Sequence, residues 1–170
     1  LMFRQGRVPE AIPYYEKAAA LMNTDHNSPS VLTCCYAATG QTAEMEAAAR
    51  MALERAESAV TKDPTNSHAL AAGVAALAIF GEDERAKEWI QRGLLLDPDN
   101  LSMRYNFACA LSAQLDDGDS ALDVLEPFFD RVTSAAHIKH LEADPDFDPI
   151  RNHARFQHGL AKARERLGLD

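Results

Sequence analysis

A spacing of 34 residues recurs along this chain and restricts the folds that it can adopt. Asp63-Pro64 reappears as Asp97-Pro98, and Asn66 reappears as Asn100 at the same distance. A period of this length holds two helices and their turns, and each helix must bury one apolar stripe against its neighbours. The recurrence therefore predicts a row of antiparallel helical hairpins, one for each period.

The third period shows the expected stripes most clearly. Pro64 and Pro98 end their units because proline cannot continue a helix, and Asn66 and Asn100 are typical N-caps. Gly81 lies between the two helices, where a turn with positive φ favours glycine. Small or apolar residues recur at helical spacing on both sides of this turn, in the first helix Leu70, Gly73, Val74, Leu77 and Phe80 and in the second Ala86, Ile90 and Leu94.

Composition and charge argue against two classes of function. A net charge of −9 and a pI near 5.1 argue against nucleic-acid binding, because neutralising phosphates requires a basic face. No apolar run approaches the roughly 18–20 residues that span a bilayer, so we expect no membrane partner. Three cysteines, Cys34, Cys35 and Cys109, form an odd set without zinc-like spacing, which favours a cytoplasmic location.

The anchors and stripes resemble those of the tetratricopeptide-repeat family, over nearly the whole chain. The resemblance implies an all-α fold, a right-handed α-solenoid of antiparallel helix hairpins with a C-terminal helical cap, in a single domain. Its expected divisions are a partial repeat at 1–25, a repeat with an extended second helix at 26–64, regular repeats at 65–98 and 99–133, and a capping segment at 134–170.

Two features depart from the regular period. The stretch from Thr42 to Thr61 is too long for half a repeat and contains no glycine or proline, which predicts one extended helix rather than an inserted loop. Pro13 lies inside the second helix of the first repeat, where its missing N–H predicts a local kink. The chain opens at Leu1 within an apolar run, so we expect it to be part of a longer protein.

After Val132 the period stops. We expect a short helix at 134–141, a turn rich in aspartate and proline, and a closing helix that ends at Leu167. The run from Glu142 to Leu160 is similar to the end of the repeat regions of bacterial proteins of the nucleotide-cyclase type. That resemblance implies the C-terminal regulatory part of a multidomain bacterial signalling protein such as an adenylate or guanylate cyclase, although no cyclase motif occurs in this chain.

Groups that resemble metal sites each have a simpler explanation. His137 and His140 share a helix face, but no suitable third ligand is evident near them. The run Asp116–Asp119 and a set of alternating aspartates lack the spacing of a calcium loop, so helix caps and turns explain them better. We therefore predict no metal, no cofactor and no catalytic residue, the alternating set being Asp144, Asp146 and Asp148.

Two further patterns favour structure over chemistry. Adjacent side chains diverge by about 100° on a helix, so Cys34 and Cys35 are expected to be buried small residues rather than a redox pair. The last helix is basic, either as a binding patch or, more simply, as a solvated face that complements the helix C-terminus. Its cations are Arg151, Arg155, Lys162, Arg164 and Arg166.

The resemblance also implies a concave groove lined by the first helix of each repeat. Members of the family that grip a C-terminal carboxylate use lysine and arginine there, whereas the corresponding positions here are small, weakly polar and nearly uncharged. This favours an apolar helix, a peptide or another domain of the same polypeptide as the partner, unless the groove is simply packed and idle. The groove positions are Asn27, Ser30, Val31, Cys34, Ala37, His68, Ala71, Ala72, Ala75, Ala78, Ser102, Tyr105, Asn106, Cys109 and Ser112.

The sequence thus favours a non-catalytic protein-interaction scaffold and leaves two alternatives open. One is a device that dimerises the parent protein through the N-terminal end, where we expect an exposed apolar face. That face would contain Phe3, Val8, Ile12 and Tyr15. The other alternative is a fragment that contributes to an enzyme's active site, for which no acid or histidine stands out.

Overall fold

A computed structural model describes residues 7–169, and no strand occurs in that range. The predicted all-α class is confirmed. The chain divides into two compact units, which meet in sequence at Leu96 and Asp97. The helices are α1 (Val8–Leu21), α2 (Asn27–Ala38), α3 (Thr42–Lys62), α4 (Ser67–Ile79), α5 (Asp83–Leu96), α6 (Leu101–Ala113), α7 (Gly118–Arg131), α8 (Ala135–Ala143) and α9 (Ala154–Leu167), with a 3₁₀ turn at Pro145–Phe147.

In the first unit each helix packs against the next one along the chain, from α1 through α5. α2 also packs against α4, so the first helices of two successive hairpins are neighbours. α4 is buried around most of its circumference, with Leu70, Val74 and Leu77 fully enclosed. Its many alanines permit this, because small side chains let neighbouring backbones approach closely.

In the second unit α6 and α7 form a hairpin, α9 packs against α7, and α8 packs against α9. The 3₁₀ turn lies against α6. Phe147 of that turn and Phe156 of α9 are fully buried, with ring centroids 5.8 Å apart. The segment after Val132 therefore packs on the α6–α7 hairpin through an aromatic core.

Local sequence signals set the helix ends. Gly40 and Gly81 have φ of 73° and 71°, in the left-handed region that favours glycine. The side chains of Asn66 and Asn100 accept hydrogen bonds from the backbone N–H groups of Ala69 and Met103, at 2.9 and 3.0 Å. Both expected N-caps are confirmed.

The irregular segments also form helices. α3 is one helix from Thr42 to Lys62, as its lack of breakers predicts. Pro13 lies within α1, which continues through it. Asp117 caps α7 by accepting from the Ser120 N–H at 3.2 Å, so helix capping explains that acidic run.

Two expectations about side-chain position need correction. Cys35 is buried, but Cys34 is exposed, because only one of two adjacent helical positions can face the core. Ile12 and Tyr15 do not form a free apolar face, since they pack against a cluster of Ala19, Leu32, Tyr36 and Ala48. Val8 is half-buried, and Phe3 lies outside the described residues.

Four arginines, on α3, α5, α7 and α9, contact turns or helix ends that lie earlier in the chain. Arg55 of α3 donates to the Ala19, Met22 and Asp25 carbonyls that follow or end α1. Arg92 donates to the Pro64 carbonyl at 2.7 Å, and Arg131 pairs with Asp99 at 2.7 Å. Arg166 of α9 donates to two carbonyls at the end of α7, those of Phe129 and Val132. We call these four contacts the arginine clips.

The N-cap of α4 gives the first testable prediction. Asn66→Ala should lower the free energy of unfolding by about 1 kcal/mol, because the Ala69 N–H loses its acceptor. Asn66→Asp is the matched control and should unfold within about 0.5 kcal/mol of the parent, since aspartate caps as well as asparagine. Urea melts of the three proteins measure the difference. Equal stability of all three would show that the cap contributes nothing.

Candidate functional site

The structure distributes the fifteen expected groove residues over three helices and a range of exposures. On each helix they recur at intervals of three or four, so they share one face. α2 and α4 are packed neighbours in the first unit, and α6 belongs to the second unit. Exposed are Asn27, Cys34, Ala37, His68, Ser102 and Asn106; half-buried are Ser30, Val31, Ala75, Tyr105 and Cys109; buried are Ala71, Ala72, Ala78 and Ser112.

The faces of α2 and α4 are almost free of charge. Neither helix contains an aspartate, glutamate, lysine or arginine, although such residues form 25% of the chain. His68 is the one ionisable group besides the cysteines and Tyr36 on these two helices. The surface that α2 and α4 expose therefore carries no aspartate, glutamate, lysine or arginine of its own. We call the exposed and half-buried residues of α2 and α4 the neutral face. They are Asn27, Ser30, Val31, Cys34, Ala37, Ala38, His68, Ala75 and Ile79.

His26 stands just before α2 and was not singled out by the sequence. Its Nδ1 atom is buried without a hydrogen-bond partner among residues 7–169. Burial lowers the pKa of His26, against the opposing effect of the Asp25 carboxylate. The imidazole is therefore mainly neutral near pH 7.

On α6 the chain's own tail covers the expected groove positions Tyr105 and Cys109, whereas Ser102 and Asn106 stay exposed. The Tyr105 hydroxyl donates to Asp144 Oδ2 at 2.6 Å, and the Phe147 ring meets the Tyr105 ring edge-on at 5.2 Å. The His140 ring stacks on Tyr105 at 5.7 Å. Tyr105 is thus surrounded by the segment that contains α8 and the 3₁₀ turn, and it is not available as an open groove side chain.

The same tail brings Asp144 and Asp146 beside Cys109. The thiol sulfur and one oxygen from each carboxylate lie within 4.8 Å of one another, and all three residues are half-buried. Asp144 Oδ1 accepts from the Asp146 N–H at 3.1 Å. Burial, followed by the Asp144 charge, raises the pKa of Asp146 to about 6, while a hydrogen bond with Cys109 opposes the rise. Burial also raises the pKa of Tyr105.

The sequence did not reveal this cluster. Cys109 and Asp144 are far apart in the chain, and only the packing of the 3₁₀ turn on α6 brings them together. Asp148, the third of the alternating aspartates, is exposed and pairs with Arg151 at 2.6 Å instead. Within the described range, His137 and His140 do not belong to a group of three potential metal ligands.

The basic residues of the tail have partners inside the second unit. Arg155 pairs with Asp123 at 2.6 Å, Lys162 with Asp130 at 2.9 Å and Arg164 with Glu142 at 2.6 Å. Arg155, Lys162 and Asp130 line a depression between α7 and α9. These contacts neutralise the cations locally, which disfavours a basic binding patch.

None of the described helices combines the length and the apolar character that crossing a membrane requires. In comparisons with known proteins, no family model and no curated protein matches this chain.

Proposed function

We propose that the chain is a non-catalytic protein-interaction module that binds an uncharged helix or peptide segment on the neutral face. The observation that carries this proposal is the absence of charged side chains from two neighbouring helices of an otherwise highly charged chain. Surfaces that contact only water tolerate charge, whereas the core of an interface is depleted in charged residues. The neutral face has the composition of an interface core.

The size of the side chains supports the same function. Asn27, Cys34 and Ala37 are exposed on α2 and are all small. Small residues let the backbone of a partner helix approach closely, and they lose little side-chain entropy when it binds. The resemblance to tetratricopeptide repeats, whose first helices line a binding groove, points to the same surface. A neutral segment of a separate protein or of another domain of the same polypeptide would fit it.

Dimerisation is the second candidate function, and a specific observation favours it. Tyr14 and Leu21 lie seven residues apart on one face of α1 and are 66% and 73% exposed. Met22 follows them and is also exposed. Large apolar side chains grouped on one surface favour association. The N-terminal self-association expected from the sequence would therefore use Tyr14 and Leu21 rather than Ile12 and Tyr15.

Substitution of one alanine on the neutral face tests the interaction function. Ala37→Glu should weaken binding by about tenfold or more, because the new carboxylate would be desolvated in the interface without a partner. Ala47→Glu on the exposed side of α3 is the matched control, since it adds the same charge off the face. The probe is a neutral helical peptide selected on the purified chain from a displayed library, and its affinity is measured by calorimetry.

Two outcomes would decide against the proposal. Equal affinity of the two variants would show that the peptide binds elsewhere. A mass of two chains in light scattering, unchanged by Ala37→Glu and reduced to one chain by Leu21→Glu, would establish dimerisation as the better description. An unchanged circular dichroism spectrum of each variant confirms that the comparison concerns folded protein.

A further inference from the structure

We propose that Cys109, Asp144 and Asp146 form a binding site for a divalent transition-metal ion such as Zn²⁺, which fastens the 3₁₀ turn to α6. The three potential ligand atoms lie within 4.8 Å of one another. They come from two elements that pack together, so the helix and the turn fix their positions. This site lies in the second unit and is independent of the neutral face.

A positive group beside the cluster would stabilise its two carboxylates. Asp144 and Asp146 hold two carboxylates close together in a half-buried place, where their repulsion is weakly screened. No lysine or arginine among residues 7–169 forms an ion pair with either carboxylate. His140 Nε2 lies 3.7 Å from Asp144 Oδ2, and the Arg151 guanidinium donates to the backbone carbonyl of Asp144 at 2.7 Å rather than to its carboxylate. A bound cation would supply the missing compensation.

A separate observation points to a ligand on this face of α6. Ser112 follows Cys109 by three residues, which places both on the same side of the helix. Its side chain is only 3% exposed, and its Oγ atom has no hydrogen-bond partner among the described residues. A buried hydroxyl without a protein partner usually bonds to a bound water or an ion. A water molecule carried by the metal is the kind of group that such a hydroxyl binds.

The donor types favour zinc over calcium or magnesium. Calcium and magnesium bind oxygen ligands, whereas a thiolate together with carboxylates suits borderline ions such as Zn²⁺ and Co²⁺. Coordination requires the Cys109 thiol to lose its proton to solvent. Water then completes a four-coordinate shell. Tyr105 supports the site from outside, because its hydroxyl donates to Asp144 and orients that carboxylate.

Cobalt titration of the whole chain tests the site. Co²⁺ bound by a thiolate absorbs in the near ultraviolet, and we expect one equivalent to produce this band. Cys109→Ser should abolish the band, while Cys34→Ser, which removes an exposed thiol of the first unit, should leave it intact. Asp146→Asn should weaken Co²⁺ binding by about tenfold or more, whereas the exposed Asp148→Asn should bind as the parent does.

Each alternative result overturns the proposal. No band at all means that the cluster does not bind the metal, and a band lost with Cys34→Ser assigns the binding to an exposed thiol. If Cys109→Ser fails to fold, Asp146→Asn and Asp148→Asn still make the comparison. As a second readout, Zn²⁺ should raise the melting temperature of the parent and of Asp148→Asn but not that of Asp146→Asn. An equal rise in all three contradicts the assignment.

Discussion

Phe147→Ala is expected to lower the free energy of unfolding of the second unit by about 3–5 kcal/mol. Phe147 is fully buried, and its ring contacts those of Tyr105 on α6 and Phe156 on α9. Truncation removes the apolar contact on both sides and leaves a cavity that two helices and a turn cannot easily close. The 3₁₀ turn should then detach from α6 at a lower denaturant concentration than the parent requires.

Leu95→Ala is the control for this loss, because Leu95 is 84% exposed and its truncation should change stability by less than about 0.5 kcal/mol. Urea melts followed by near-ultraviolet circular dichroism report the aromatic core directly. A Phe147→Ala protein that melts with the parent would mean that the tail does not contribute to the core of the second unit.

Gly73→Leu should destabilise the first unit by about 3 kcal/mol through overpacking. A β-carbon at Gly73 would stand 2.3 Å from Cζ3 and 2.9 Å from Cε3 of Trp89. Trp89 belongs to α5 and is itself buried, so its ring has little room to move. The absence of a side chain at Gly73 is what lets α4 and α5 lie as close together as they do.

Trp89, which packs against Gly73, provides the control for this prediction. Trp89→Leu alone should be destabilising because it empties the same space, but Gly73→Leu should cost much less in that background than in the parent. A double-mutant cycle from thermal melts measures the coupling between the two positions. Additive effects would show that the side chain added at Gly73 does not meet Trp89.

Features that depend on neighbours in sequence were predictable. Asn66 caps α4 through a bond to a residue three positions on, and Gly81 turns the chain by its own φ, so the local residues suffice to identify both. The continuous α3 is another case, because an uninterrupted run of helix-forming residues from Thr42 onward has no alternative local structure. The helical class of the chain follows from many such signals added together.

Features that depend on distant residues were not predictable in the same way. The helical period places Tyr105 and Cys109 on one face of α6, but it does not show that Asp144 and Asp146 will cover them. The arginine clips were not predicted either, since Arg55 lies on α3 and its carbonyl acceptors lie 30 to 36 residues earlier in the chain. Packing between elements forms both the cluster around Cys109 and the arginine clips. A sequence pattern within one element carries no information about such packing.

The arginine clips also determine how the ends of these helices respond to acidity. Arg55, Arg92 and Arg166 donate to backbone carbonyls, which do not titrate, and guanidinium keeps its charge throughout the range in which proteins are folded. Neither the guanidinium nor the carbonyl of these contacts therefore changes its protonation in that range. Arg131 differs, because its acceptor is the Asp99 carboxylate. As the surrounding pH falls, the contacts of Arg55, Arg92 and Arg166 would therefore stay unchanged.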